Sequence, residues 1–132
     1  MKCFLVVSVI TSVLIAPIPG VDFYHRRIIV AEIDKAYLCV DSSPETALAS
    51  LKSSAKNIRE RLGRITMLPK RSTNMALDLI NKQATSLDVA IRLSKIYDNS
   101  DYGREKSRMC LSEYEKSVPS FKRNIEYVRQ SL

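Results

Sequence analysis

Along the C-terminal third of the chain, apolar residues recur at Leu111, Tyr114, Val118, Phe121, Ile125, Val128 and Leu132, in alternating steps of three and four. That spacing gathers them on one side of a helix and predicts a long amphipathic helix over 101–132 with a seven-residue repeat. The same steps link Leu48, Leu51, Ala55, Ile58 and Leu62, and again Leu77, Ile80, Ala84, Leu87 and Ile91, followed by Tyr97. Ala76, Ala90 and Leu93 widen the stripe of that third helix. Upstream, Ile29, Ile33 and the pair Ala36-Tyr37 predict a short helix within 21–38, although Ile28-Ile29-Val30 also suits a short strand.

Boundary residues divide the pattern. Ser43-Pro44-Glu45 predicts a helix start. The Ser oxygen can accept an orphan backbone N–H, Pro loses nothing at the first position, and Glu meets the positive end of the helix dipole. Gly63 is the expected stop, with Ile65 and Leu68 able to carry one more turn. Pro69-Lys70-Arg71-Ser72 marks a break, after which Ser72 or Thr73 is the expected cap. Asp98-Asn99-Ser100-Asp101 separates the last two helices. Pro119 lacks the N–H that would bond the carbonyl of Glu115, so a kink is expected, or two helices joined over 117–120. Only 3 glycines occur, which disfavours an all-β chain and fits helices joined by short loops.

The first 20 residues change the picture. Met1-Lys2 is a positive start, residues 3–16 are apolar apart from Ser and Thr, and Pro17-Ile18-Pro19-Gly20 closes the run. This is the form of a secretory signal peptide, shorter than the ~20 apolar residues of a membrane span. The expected organisation is a signal peptide over 1–20, cleaved after Gly20, and one helical domain over 21–132, secreted and without a membrane partner after cleavage. Losing Lys2 takes the net charge from +7 to +6. A basic protein of this kind is drawn to acidic surfaces. Lys and Arg are nevertheless spread among Asp and Glu along every helix, which argues against nucleic acid as a partner.

Cys3 leaves with the leader, and Cys39 and Cys110 remain in an oxidising compartment. They can bridge each other or pair with another chain. Two cysteines and the single His25 do not make a metal site, and no cofactor motif occurs. His25 lies in the run Phe23-Tyr24-His25-Arg26-Arg27 and reads as a surface residue, not as half of a Cys–His dyad. Glu113 and Glu115, two apart on a helix, point to different sides and read as surface charges. Residues 98–103 look superficially like a calcium loop but lack the spaced acidic positions and closing Glu. No Asn-x-Ser/Thr glycosylation acceptor is present. The chain therefore reads as a non-enzyme and a secreted helical bundle.

Two motifs then carry a resemblance. Cys110-x3-Tyr114, followed by Val118 and Phe121, resembles the Cys-x-x-x-Tyr segment of the plant invertase and pectin methylesterase inhibitor family. Cys39 with Ser42, Pro44, Ala47 and Leu51 is similar to that family's opening motif, and the helix from Leu77 to Ile91 to the alanine-rich helix between them. The resemblance spans about residues 33–132. It implies an all-α, up-and-down four-helix bundle of the inhibitor type, located in the cell wall or apoplast. Its partner would be a pectin methylesterase or acid invertase, whose active-site cleft it would cover without doing chemistry. The departures are specific. The opening motif is one residue short, and about Ala47 its second cysteine is replaced, so the family's hairpin disulfide is not expected. The family partner of Cys110, the Pro-Lys-Phe motif and the last bundle helix would lie beyond Leu132. A bundle truncated in this way should leave the helix faces at 77–91 and 111–132 partly uncovered, for burial in a homodimer. The alternatives are a small secreted carrier or signalling protein with an apolar ligand between its helices, or a truncated relative without activity.

Overall fold

The structure, a computed structural model, describes residues 21–64, 70–97 and 101–132. The expected signal peptide, Ile65, Leu68 and Asp98 to Ser100 lie outside them. Four helices account for nearly all described residues: α1 (Val21–Cys39), α2 (Pro44–Leu62), α3 (Lys70–Tyr97) and α4 (Asp101–Gln130). No strand occurs among the described residues, and Ile28-Ile29-Val30 is helical. The helical reading prevails there because Ile29, Ile33, Ala36 and Val40, spaced by four, three and four, all turn inward.

Several boundary expectations are corrected. Pro44 does open α2 and Glu45 does sit in its first turn. The Ser43 hydroxyl, however, makes no capping bond and instead donates to the Thr46 hydroxyl at 2.8 Å. The Ser43 carbonyl accepts from the Ala47 N–H, also at 2.8 Å. α3 begins at Lys70, so Ser72 and Thr73 lie within its first turn and not ahead of it. Starting early brings Thr73, fully buried, into line with Ala76 and Ile80. Leu93, expected on the buried stripe, is exposed.

Pro119 does not divide α4, which is continuous from Asp101 to Gln130. The carbonyl left without its helical donor belongs to Glu115. Glu115 and Pro119 are both exposed, so water can serve that carbonyl. Val118 and Phe121, on either side of the proline, are buried and hold the helix to its neighbours.

The bundle is up-and-down. Consecutive helices are joined by links too short for a crossover, and each packs on the next, α3 with α4 most extensively. α1 closes the ring against α4, the α1–α3 diagonal touches slightly, and among the described residues the backbones of α2 and α4 do not approach each other. Ile29 and Ile33 of α1, Leu51 and Ile58 of α2, Ile80 and Leu87 of α3, and Ile125 of α4 are fully buried. Each such side chain contributes roughly 1.5–3 kcal/mol by leaving water. Ala36, Ala47 and Ala76, also fully buried, supply the small side chains of the same core. The faces expected to be uncovered at 77–91 and 111–132 are therefore largely covered, because α1 supplies the fourth wall of the ring.

The rims of two seams are polar. Between α1 and α4, Arg129 donates twice to Asp34, at 2.5 and 3.3 Å. Arg26 donates to the Leu132 carbonyl, and Lys122 pairs with Asp41 while lying 4.9 Å from the centre of the Tyr37 ring. Between α1 and α2, Asn57 donates to Glu32 and Lys35 to Ser53. Exposed pairs contribute about 0–1 kcal/mol each, so the apolar core sets stability and these bonds fix the register of the helices.

Candidate binding cleft

The turn between α1 and α2 and the middle of α4 enclose a cleft of about 290 Å³. Val40, Asp41 and Ser42 line one side together with Pro44, the first residue of α2. Leu111, Tyr114, Glu115, Val118 and Pro119 line the other. Heptad spacing on α4 aims Leu111, Tyr114 and Val118 at the turn. The turn's own position depends on Val40 being buried, with its N–H bonded to the Ala36 carbonyl at 3.1 Å. The walls are mostly apolar, with Asp41 and Glu115 exposed at the margin.

Tyr114 is the one polar side chain sealed into this cleft. It is 8% exposed, and its hydroxyl is buried with no hydrogen bond of acceptable geometry. The neighbouring amide of Gln83 donates to the Ser117 hydroxyl at 3.1 Å, and that hydroxyl donates to the Tyr114 carbonyl at 2.6 Å. Burial pushes the Tyr114 phenol above its ordinary pKa, Gln83 beside it offsets part of the rise, and the charge of Asp41 adds to it.

The two cysteines flank the cleft without bridging it. Cys39 is fully buried at the end of α1, whereas Cys110 is a half-buried free thiol on α4. Of the pairings open to these cysteines, a Cys39–Cys110 disulfide is thus not formed. Cys110 stands one residue before the inward stripe begins at Leu111, and the helix turns its thiol aside from the core.

His25 is also corrected. It is 5% exposed, not a surface residue. Its Nδ1 lies 3.3 Å from the Arg61 guanidinium, and its ring meets Tyr24 edge-on at 5.5 Å. Arg can only donate, so Nδ1 accepts. Fourteen residues of α1 separate His25 from Cys39, about 21 Å at 1.5 Å per residue, so the two sit at opposite ends of the bundle. Among the described residues no cluster of three or more His, Cys, Asp or Glu is placed to hold a metal. No described helix is long and apolar enough to cross a membrane.

Sequence reasoning singled out Tyr114, Ser42 and Pro44, and the structure brings them together. It missed Asp41 and Glu115, which no local pattern distinguishes from other surface carboxylates. The fold is an all-α four-helix bundle with a small recess where the α1–α2 turn meets α4. Comparison with known protein families, curated proteins and solved structures finds no match.

Proposed function

We propose that the protein is a secreted, non-catalytic inhibitor-type protein. In this reading its α1–α2 turn and α4 dock on a cell-wall carbohydrate-active enzyme, a pectin methylesterase or acid invertase, and block its active-site cleft. The observation that carries the reading is the meeting of two sets of residues. Ser42 and Pro44, from the motif that follows Cys39, face Tyr114 and Val118, from the motif that follows Cys110, across one cleft. Two stretches some seventy residues apart in sequence thus form one surface. A stable complex buries about 800 Å² per partner, so the footprint extends past the cleft onto the exposed side of α4, where Glu113 and Lys116 form an ion pair at 2.9 Å. A rigid helical face excludes substrate by occupying space, and the marginal carboxylates set specificity.

The test is inhibition of both enzymes by the purified protein, with pull-down from a cell-wall extract scored by mass spectrometry. Slowing of one enzyme at micromolar protein, weakened at least about tenfold by Glu115→Arg, is expected, since a misplaced interfacial charge costs several kcal/mol. Failure to slow or capture either enzyme in micromolar excess, with the helical signal intact, overturns the reading. A second reading, a carrier of a small apolar ligand, draws on the apolar walls of Val40, Leu111 and Val118 and on the cleft volume. It requires a ligand that raises the melting temperature of the wild type but not of Val118→Asp.

A further inference from the structure

We infer that the end of the bundle opposite the cleft is a docking surface for anionic lipid. All four helices contribute to this end. Tyr24 and His25 of α1 touch Arg61 of α2, and Arg26 reaches the Leu132 carbonyl beyond α4. α3 packs on α2 and begins at Lys70, so its start lies at this end.

Lys and Arg occur along every helix, but the net positive charge falls mainly at this end. Residues 21–27, 57–64, 70–73 and 123–132 carry nine Lys or Arg against three acidic residues, a balance of +6 in a chain of formal charge +7. Residues 35–46, 86–97 and 101–116, at the cleft end, carry seven Lys or Arg against seven acidic residues. Arg27, Arg59, Arg64, Lys70, Arg71 and Arg123 are all exposed.

Helix stability explains only part of this placement. Arg59 and Arg61 lie in the last turn of α2 and Arg129 in the last turn of α4, where positive charge complements the helix dipole. Lys70 and Arg71 lie in the first turn of α3, where positive charge opposes the dipole, and that turn holds no acidic residue. An external anion accounts for charge that the helix itself disfavours.

Exposed rings select the kind of anion. Phe23 and Tyr24 on α1 and Tyr127 on α4 are 44%, 36% and 70% exposed at the same end. The guanidinium of Arg27 lies 5.4 Å from the centre of the Phe23 ring, and that of Arg61 5.5 Å from the Tyr24 ring. Aromatic rings among cations suit the boundary between headgroups and acyl chains, where the rings partition and the cations meet phosphate. A sulfated polysaccharide or duplex nucleic acid is held chiefly through the cations, and a single strand that stacks on the rings would show no preference between neutral and anionic vesicles. Docking here leaves the cleft pointing away from the membrane.

The experiment is sedimentation of the full 132-residue chain with vesicles of neutral phosphatidylcholine and with vesicles carrying about a third phosphatidylserine. The apolar run of residues 3–16 contributes to both, so the difference between the two reports the docking surface. The expected result is a preference for anionic vesicles that falls with added salt and drops at least about a hundredfold in Arg59→Glu/Arg64→Glu/Arg71→Glu, since loss of three cations alone removes about two decades at about 0.7 decade each. Phe23→Ala/Tyr127→Ala should weaken binding to anionic vesicles without changing its salt dependence. Lys52→Glu/Lys56→Glu, a double charge reversal at exposed mid-bundle positions of α2, should change it far less. Circular dichroism shows that each variant keeps its helices. Equal binding to both vesicles, or equal losses from the two sets of charge reversals, overturns the inference. So does tight, salt-sensitive binding to an oligonucleotide or sulfated polysaccharide without a preference for anionic vesicles.

Discussion

Replacing Tyr114 with Phe isolates one oxygen atom. The ring is retained in a site only 8% exposed, so the apolar burial and the packing against the α1–α2 turn stay as they are. What is lost is a hydroxyl that folding strips of water without giving it a well-formed hydrogen bond. An unsatisfied buried polar group costs about 1–3 kcal/mol. Removing it should therefore raise stability by about 1 kcal/mol, the low end of that range, because Gln83 lies close enough to stabilise the phenol in part. For a domain of this size that gain corresponds to about 4 °C in Tm. Urea unfolding of both proteins at pH 8 measures it directly. A second arm follows from titration. The folded-state pKa of Tyr114 is raised, so its contribution is fully present below the unfolded value near 10 and is lost as pH rises through the folded value. Wild type should accordingly lose more stability than Tyr114→Phe between about pH 9 and 11. A fall of about 1 kcal/mol or more in Tyr114→Phe at pH 8 would refute the argument, because it would mean that the hydroxyl is bonded in the folded protein.

Three further outcomes test the fold. Pro119→Ala restores a helical N–H at an exposed position and should stabilise α4 by about 1–3 kcal/mol, read from urea midpoints. Ile125→Ala empties a fully buried site on the face that α4 turns to the core and should cost about 2–5 kcal/mol, with a cooperative transition retained at lower urea. Gly63→Ala should add about 0.4–1 kcal/mol to the thermal stability, because Gly63 has the right-handed φ of −69° and a Cβ there meets nothing within 4 Å.

The helices were legible in the sequence because each buries a single stripe, and a stripe of period 3.6 is a local property. Tyr114, Val118, Phe121, Ile125 and Val128 are all buried as the spacing required. Misread features depend on partners far along the chain. His25 looked exposed because its neighbours are polar or aromatic, yet Arg61, thirty-six residues later, covers it. Thr73 looked like a cap, but it is drawn into the core stripe of its own helix. The fourth wall of the bundle was sought beyond Leu132, whereas α1 provides it, and a short apolar series such as Ile29, Ile33 and Ala36 does not announce which neighbours it will close against. The cleft was half legible. Tyr114 and Pro44 stood out by motif, but Asp41 and Glu115 become neighbours of them only once the turn has been laid against α4.

The order of contacts around the ring has a kinetic consequence. α1 meets α2, α2 meets α3 and α3 meets α4, so most tertiary contacts join residues near one another in sequence, and only the α1–α4 seam links the two ends of the chain. A topology dominated by local contacts has a low contact order and reaches its native state in microseconds to milliseconds. Loop closure makes the seam the most costly contact to form early. The three-helix array of α2, α3 and α4 should therefore assemble first, with α1 swinging in afterwards and the Asp34–Arg129 pair locking last. Substitutions at that pair would then leave the forward rate nearly unchanged and appear almost wholly in the rate of opening, a signature of a contact made after the barrier has been crossed.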